Sequence, residues 1–180
     1  MSQSGKTTTK RQILRSASPR AWVGVVSSSH VERGVEGGFA QLCHGRHRPL
    51  STMSVGDWLV YYSPKTELDG GAPLRSFTAI GRVVGEAPYP FDMGGGFVPF
   101  RRAIAYEQAL RHVPVASIAH RLAFVRQHPS WGMLARRGHF EIDVADLAII
   151  AHAMGVFVDP LVTSREHERP AETCGPCQAR

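Results

Sequence analysis

The stretch Gly56-Asp57-Trp58-Leu59-Val60-Tyr61-Tyr62-Ser63-Pro64-Lys65 places the tightest constraint on this chain. Gly56-Asp57 is turn chemistry, and the apolar and aromatic run that follows has the length of one strand. Pro64 is expected to stop it, because proline brings no N–H to a ladder. The strand then delivers Tyr62, Ser63 and Lys65 to its end, a flat aromatic surface beside hydrogen-bonding groups. Such an end suits a pocket for a planar ligand, above all a nucleobase. Leu59 and Tyr61 are left for the interior of a barrel or its opposite face.

The rest of the chain supplies short elements of both kinds. Residues 22–26, 39–43, 76–84, 97–106 and 138–142 read as strands or short extended elements, with Pro99 at an edge or bulge. A short helix is predicted from His30 to about Arg33, and Gly34, Gly37 and Gly38 are expected to break anything longer. Residues 114–122 fit a helix with proline near its start and Ile118, Leu122 and Val125 at helical spacing. Asp143 is placed to cap a helix running to about Met154 and ended by Gly155. Residues 66–75 and the segment from Trp131-Gly132 read as loops. About five short strands separated by glycine-rich loops, with two or three helices, predict an α+β fold: a small mixed β-barrel with flanking helices. Strands do not alternate regularly with long helices, which excludes a doubly wound sheet.

At 180 residues and 43% apolar, the chain is long enough for one domain with ragged ends. The expected division is a disordered basic leader over residues 1–20, a folded domain over 21–158 and a mobile tail over 159–180. The net charge of +6 belongs mostly to the leader, where Lys6, Lys10, Arg11, Arg15 and Arg20 face no acid. Residues 21–160 hold 13 Lys and Arg against 12 Asp and Glu, so any nucleic-acid role of the body must rest on how its cations cluster. No apolar run is long enough to span a membrane, and no secretory signal precedes the domain. Three cysteines are no disulfide framework, which points to a reducing cytoplasm.

Enzyme signatures are absent: no P-loop, no nucleophile elbow and no dinucleotide fingerprint. Ser27 or Ser29 beside His30 offers a nucleophile and a base, but the plainer reading is capping by serine and hydrogen bonding by histidine. Cys43, His44 and His47 with Cys174 and Cys177 could assemble a zinc site; a free tail is the plainer reading. No catalytic residue, metal or cofactor is assigned. The cations do cluster: Arg101-Arg102 follows Phe97 and Phe100, Arg136-Arg137 follows Trp131, and Arg46 and Arg48 share a loop with His44 and His47. Arginine pairs with phosphate in a forked geometry and stacks on bases, and neighbouring aromatics are what single-base recognition uses. The competing reading makes the aromatics core and the arginines a solvated rim.

Several blocks in order carry a resemblance: His30-Val31 with Gly34-Val35, Gly37-Gly38-Phe39 and Gln41, His44-Gly45, Gly56-Asp57 through Lys65, Phe77 to Val83, Phe97-x-Pro99-Phe100-Arg101-Arg102, and Trp131-Gly132 with Arg136-Arg137-Gly138-x-Phe140-Glu141-Ile142. They resemble the EVE domain, in particular its bacterial stand-alone members, over about residues 21–155. The resemblance implies a PUA-like fold related to YTH and ASCH domains. It implies a non-catalytic module that reads a modified base, flipped or single-stranded, in DNA or RNA. It places the base pocket at Trp22, Ser27, His30, Tyr62, Ser63, Pro64, Lys65 and Trp131, with Arg101, Arg102, Arg136 and Arg137 on flanking phosphates. Many EVE domains are fused to nucleases; 180 residues leave no space for one, so this chain is expected to act alone or through a separate protein partner. Two alternatives stay open. One is an ASCH-like hydrolase of a small modified nucleoside using Lys65, Thr78 and Glu141. The other is a small-molecule or protein-interaction barrel.

Overall fold

The computed structural model describes residues 18–128 and 130–158. Most of the leader and the whole tail, with Cys174 and Cys177, lie outside the described residues. An eight-stranded sheet organises the domain, its main path running β2-β6-β4-β3-β1-β8. Strand β1 (Ala21–Val25) lies parallel to β3 (Trp58–Lys65), with Trp22 opposite Leu59 and Val25 opposite Tyr62. Strand β8 (His139–Ile142) pairs antiparallel with the other edge of β1. Strands β4 (Pro73–Val83) and β6 (Phe100–Tyr106) continue the sheet beyond β3, and β2 (Phe39–Ala40) closes its far edge. Two two-residue strands, β5 (Tyr89–Pro90) and β7 (Val113–Pro114), add to β6 and β4. The sheet curls into a half-barrel flanked by helices, the α+β, PUA-like architecture expected.

The strand period of two sorts β3 into two cores. Leu59 and Tyr61 face one with Trp22, Leu42, Leu50, Val83 and Ile104. Trp58, Val60 and Tyr62 face the other with Val23, Ile80, Leu147, Ile150 and Met154, covered by helix α6 (Val144–Met154). Both faces of β3 are thus buried, which explains its lack of polar alternation. Tyr61 lies directly on Gly24: a methyl group there would stand 2.9 Å from its ring and 2.7 Å from Leu42. No helix among the described residues is long and apolar enough to cross a membrane.

Several boundaries differ from expectation. Helix α1 runs over Ser28–Gly37, so Gly34 and Gly37 sit inside it, and Gly38 ends it with φ 64°. Gly34 is there for space, since a Cβ would approach the Phe39 carbonyl oxygen to 2.8 Å. Pro64 does not stop β3. The ladder slips between Ser63 and Lys65, and this irregularity accommodates a residue with no N–H. The helix expected over 114–122 breaks into α3 (Val115–Ile118), a 3-10 turn and α4 (Ala123–Gln127). The buried Asp146 carboxylate accepts the Ala123 and Phe124 N–H groups at 2.7 and 2.9 Å, supplying a cap from 23 and 22 residues away. Beyond Trp131 the chain forms the short helix α5 (Gly132–Ala135) instead of a loop. A second short helix, α2 (His47–Ser51), occupies the cationic loop.

Asp57 pins one end of the half-barrel. Its carboxylate accepts the Trp22 indole N–H at 2.9 Å, the Arg20 N–H at 3.0 Å and the Ser54 N–H at 2.9 Å. Replacing it by Ala strands a buried indole N–H and two main-chain donors. Asp57→Ala is expected to cost about 3 kcal/mol in urea unfolding. Trp22 also stacks on His139 at 4.7 Å. The His139 Nε2 has no hydrogen-bond partner among the described residues, and burial pushes its pKa down from 6.5 to about 4. Between those values the unfolded chain binds the proton and the folded chain does not, so stability is full above pH 6.5 and lost as pH falls toward 4. His139→Phe, which keeps an aromatic stack, should abolish a pH dependence of about 3 kcal/mol across that window.

Candidate functional site

A cavity of about 590 Å³ opens where β1 ends. Val25, Val26 and Ser27 supply one wall, and Ser29, His30 and Arg33 of α1 another. The segment Gln41 to Arg46, residues 67–68, Met93 with Phe97, and Ala135 to Gly138 complete it. Its rim carries four exposed cations, Arg33, Arg46, Arg136 and Arg137, against one acid, Glu67.

Close backbone contacts fix the rim. Cys43 and His44 adopt left-handed conformations, φ 49° and 59°, and turn the chain sharply before Arg46. Gly45 lets this turn press on Pro99, where a Cβ would come within 2.2 Å of the proline side chain. Gly138, φ 76°, admits the Cys43 sulfur at 2.7 Å from where its Cβ would be. The Cys43 thiol donates to the Arg137 carbonyl at 3.6 Å, joining the two cationic segments. Within the cavity, the Ser29 hydroxyl donates to Glu67 at 2.5 Å and lies 3.5 Å from the Ser27 hydroxyl. The His30 Nε2 meets the Gln41 carbonyl at 3.1 Å. Burial, then the charges of Arg33 and Arg101, hold the His30 pKa below 6.5, so the ring is neutral at pH 7.

The structure gathers four of the expected site residues here: Ser27, His30, Arg136 and Arg137. The others are elsewhere. Trp22 is buried between His139 and Asp57. Tyr62 and Trp131 pack edge to face at 5.3 Å, and Trp131 also abuts Phe124 at 5.9 Å, so the two rings expected to hold a base hold each other. Ser63 is fully buried and bonded to the Thr78 hydroxyl at 2.8 Å. Pro64 is half-buried and Lys65 exposed, and neither lines the cavity. The cavity's one phenyl ring is Phe97. Arg102 is 2% exposed and donates to the carbonyls of Leu50, Met53, Gly85 and Glu86 at 2.6–3.1 Å. Its guanidinium is committed to the backbone and is not presented to phosphate. Arg101 is likewise buried, with its Nε donating to Gln41. Arg33, Glu67 and Gln41 were not expected in the pocket, although Gln41 belongs to the blocks that carry the resemblance; Arg46 did stand out in the cationic loop.

The geometry does not assemble an ASCH-like centre. Thr78 is spent on Ser63, and Lys65 is exposed. Glu141 pairs with Trp22, which pairs with Leu59. That register leaves Glu141 six residues short of Lys65, about 20 Å along the strand. Among the described residues no hydroxyl of Ser27 to Ser29 bonds to the His30 ring, so no nucleophile and base meet there. Among the described residues no three His, Cys, Asp or Glu side chains could hold a metal ion.

The two arginine pairs should separate cleanly under mutation. Arg102→Ala strips the donor from four carbonyls, two of them in buried bonds, and is expected to cost about 3 kcal/mol in chemical denaturation. The double change Arg136→Ala with Arg137→Ala should stay within about 0.5 kcal/mol of the parent.

Comparison with known proteins agrees with this architecture. Residues 20–153 match the family model described as the EVE domain. A UPF0310 protein, YdcG, of Bacillus subtilis is 49% identical over 135 residues, covering 75% of this chain and 92% of the relative. A UPF0310 protein of Streptococcus sanguinis is 48% identical over 126 residues, covering 68% and 84%. Among solved structures, a hypothetical protein from Leishmania major superposes with a TM-score of 0.51 at 11% identity, covering 74% of this chain and 93% of that one. A Pseudomonas putida protein superposes with 0.50 at 17% identity, covering 74% and 99%; these two likenesses concern the fold alone. With its matched residues spanning the whole half-barrel, the chain belongs to the EVE domain family, whose fold supports a nucleic-acid-binding module in general.

Proposed function

We propose that this protein is a non-catalytic module that binds nucleic acid by taking one modified base, flipped or single-stranded, into the cavity between β1, α1 and the Gln41–Arg46 segment. The observation that carries the reading is a cavity of about 590 Å³ ringed by four exposed arginines. The volume lies in the range that encloses a small organic ligand, and a nucleoside is of that size. The rim supplies forked donors for the phosphates on either side of a base drawn inward. Phe97 and the uncharged His30 ring offer flat surfaces, and Ser27 an edge contact. The site therefore differs from the Tyr62–Trp131 pocket expected from sequence: stacking comes from fewer rings, and phosphate binding from Arg33, Arg46, Arg136 and Arg137. Any cleavage or signalling step falls to a separate protein partner.

Single strands and duplexes carrying modified or unmodified bases, titrated over a range of salt, test this reading. A strand with a preferred modification should bind more tightly than its unmodified counterpart. Arg136→Ala with Arg137→Ala should weaken all strands similarly and lower the salt slope by about 1.5 to 2. Absence of binding to every strand at low salt would overturn the proposal.

A further inference from the structure

Gln41 lines the cavity and is 6% exposed. An amide side chain offers opposite chemistry at its two ends, an acceptor oxygen and a nitrogen with two donors. Its partner decides which end faces where. The Arg101 Nε stands 3.1 Å from the Gln41 Oε1. A guanidinium has donors and no acceptor, so only the amide oxygen can meet it. Arg101 is itself clamped: its Cζ lies 3.7 Å from the Phe39 ring centre and 3.6 Å from the Phe91 ring centre. Cation–π contact with two rings holds the guanidinium in place and away from the phosphate-binding rim.

With Oε1 occupied, the two N–H groups of Gln41 Nε2 are left over. No hydrogen bond from Nε2 to another described residue is found, and Gln41 is one of the residues that line the cavity. The same residue's main chain is also used. Its carbonyl accepts from His30 Nε2, which assigns the ring proton to that nitrogen and leaves Nδ1 as a lone pair. Gln41 and His30 therefore form one coupled polar wall.

We propose that Arg101 is a positioning residue and Gln41 a specificity residue: the buried guanidinium, fixed between Phe39 and Phe91, turns the Gln41 amide nitrogen into the cavity, where it reads a carbonyl oxygen or bare ring nitrogen on the edge of a neutral heterocycle. This rests on the base-binding reading above and names what that site selects. A ligand edge that presents only donors to the Gln41 amide nitrogen leaves two sets of N–H groups opposed, and one buried unpaired donor is enough to reject it.

Gln41→Glu is the direct test. The carboxylate keeps the shape and retains an acceptor for Arg101, but removes both donors. The probes are single-stranded oligonucleotides carrying 5-methylcytosine, 5-hydroxymethylcytosine, N6-methyladenine or the unmodified bases. Gln41→Glu should lose about tenfold or more in affinity for whichever modified strand the parent prefers. Its affinity for unmodified strands, held through the phosphates, should fall much less. Arg101→Met keeps apolar contact with the two phenyl rings and frees the amide to turn over. It should lose the same preference in part, and in NMR spectra of the unliganded protein the Gln41 side-chain amide signals should shift and broaden. A preference that survives Gln41→Glu undiminished overturns this inference and leaves the base-binding reading standing. Sharp, unshifted Gln41 amide signals in Arg101→Met overturn the positioning role. A parent protein that binds none of the strands overturns both readings together.

Discussion

Strand β3 has no wet face from Trp58 to Ser63, and the domain is arranged to satisfy that constraint. One set of alternate side chains needs a helical cover, which α6 and the broken α3–α4 segment provide. The other set needs the sheet to curl over itself, bringing Leu42, Leu50 and Ile104 onto Leu59 and Tyr61. The crossing of the chain at residues 41–46 follows from this curl, because Leu42 must reach the barrel interior while its neighbours stay outside. Gln41, Cys43 and Arg46 are placed on the cavity wall by a core residue between them. The site is thus a by-product of closing the half-barrel.

Buried arginine is the second organising element. Arg101 and Arg102 are adjacent in a strand and point to opposite sides. Each solves the cost of burying a cation in its own way. Arg102 gives its donors to four carbonyls of α2, the turn after it and the segment after β4. Arg101 uses two phenyl faces and one amide oxygen. Neither forms an ion pair with a carboxylate among the described residues, and both side chains lose part of their hold on the proton through burial. These are rigid parts of the scaffold, whereas Arg136 and Arg137 remain in water at the rim.

Much of the fold was legible in the residues. The α6 boundaries are marked by Asp143 and Gly155, and the positions of β1, β3, β4, β6 and β8 follow their β-branched and aromatic runs. The breaks were less legible where a distant partner makes them. Nothing local says that Asp146 will cap the chain at Ala123, or that Gly34 serves a contact rather than a helix end. The site was legible only in part, for a related reason. Tyr62, Trp22 and Trp131 have the composition of a base-stacking cage, and the same composition packs a core; register decides between them. Ser27 and His30, which the resemblance places at the end of the first strand, do line the cavity. Gln41 stood among the blocks that carry the resemblance but was given no place in the pocket, since an amide one position before a buried leucine carries no local signal of a role until Arg101 arrives from 60 residues away.

The placement of β1 between β3 and β8 has a consequence for how the domain is made. Its two hydrogen-bonding edges are completed by segments centred near residues 60 and 140, so the first of the described strands to be synthesised is among the last to be fully paired. Until Ile142 has been synthesised, β1 shows an open apolar edge, the kind of template that recruits other chains. Any truncation before β8 would therefore trade a missing strand for a sticky one, and the polypeptide has to be held apart from its neighbours for most of its own translation.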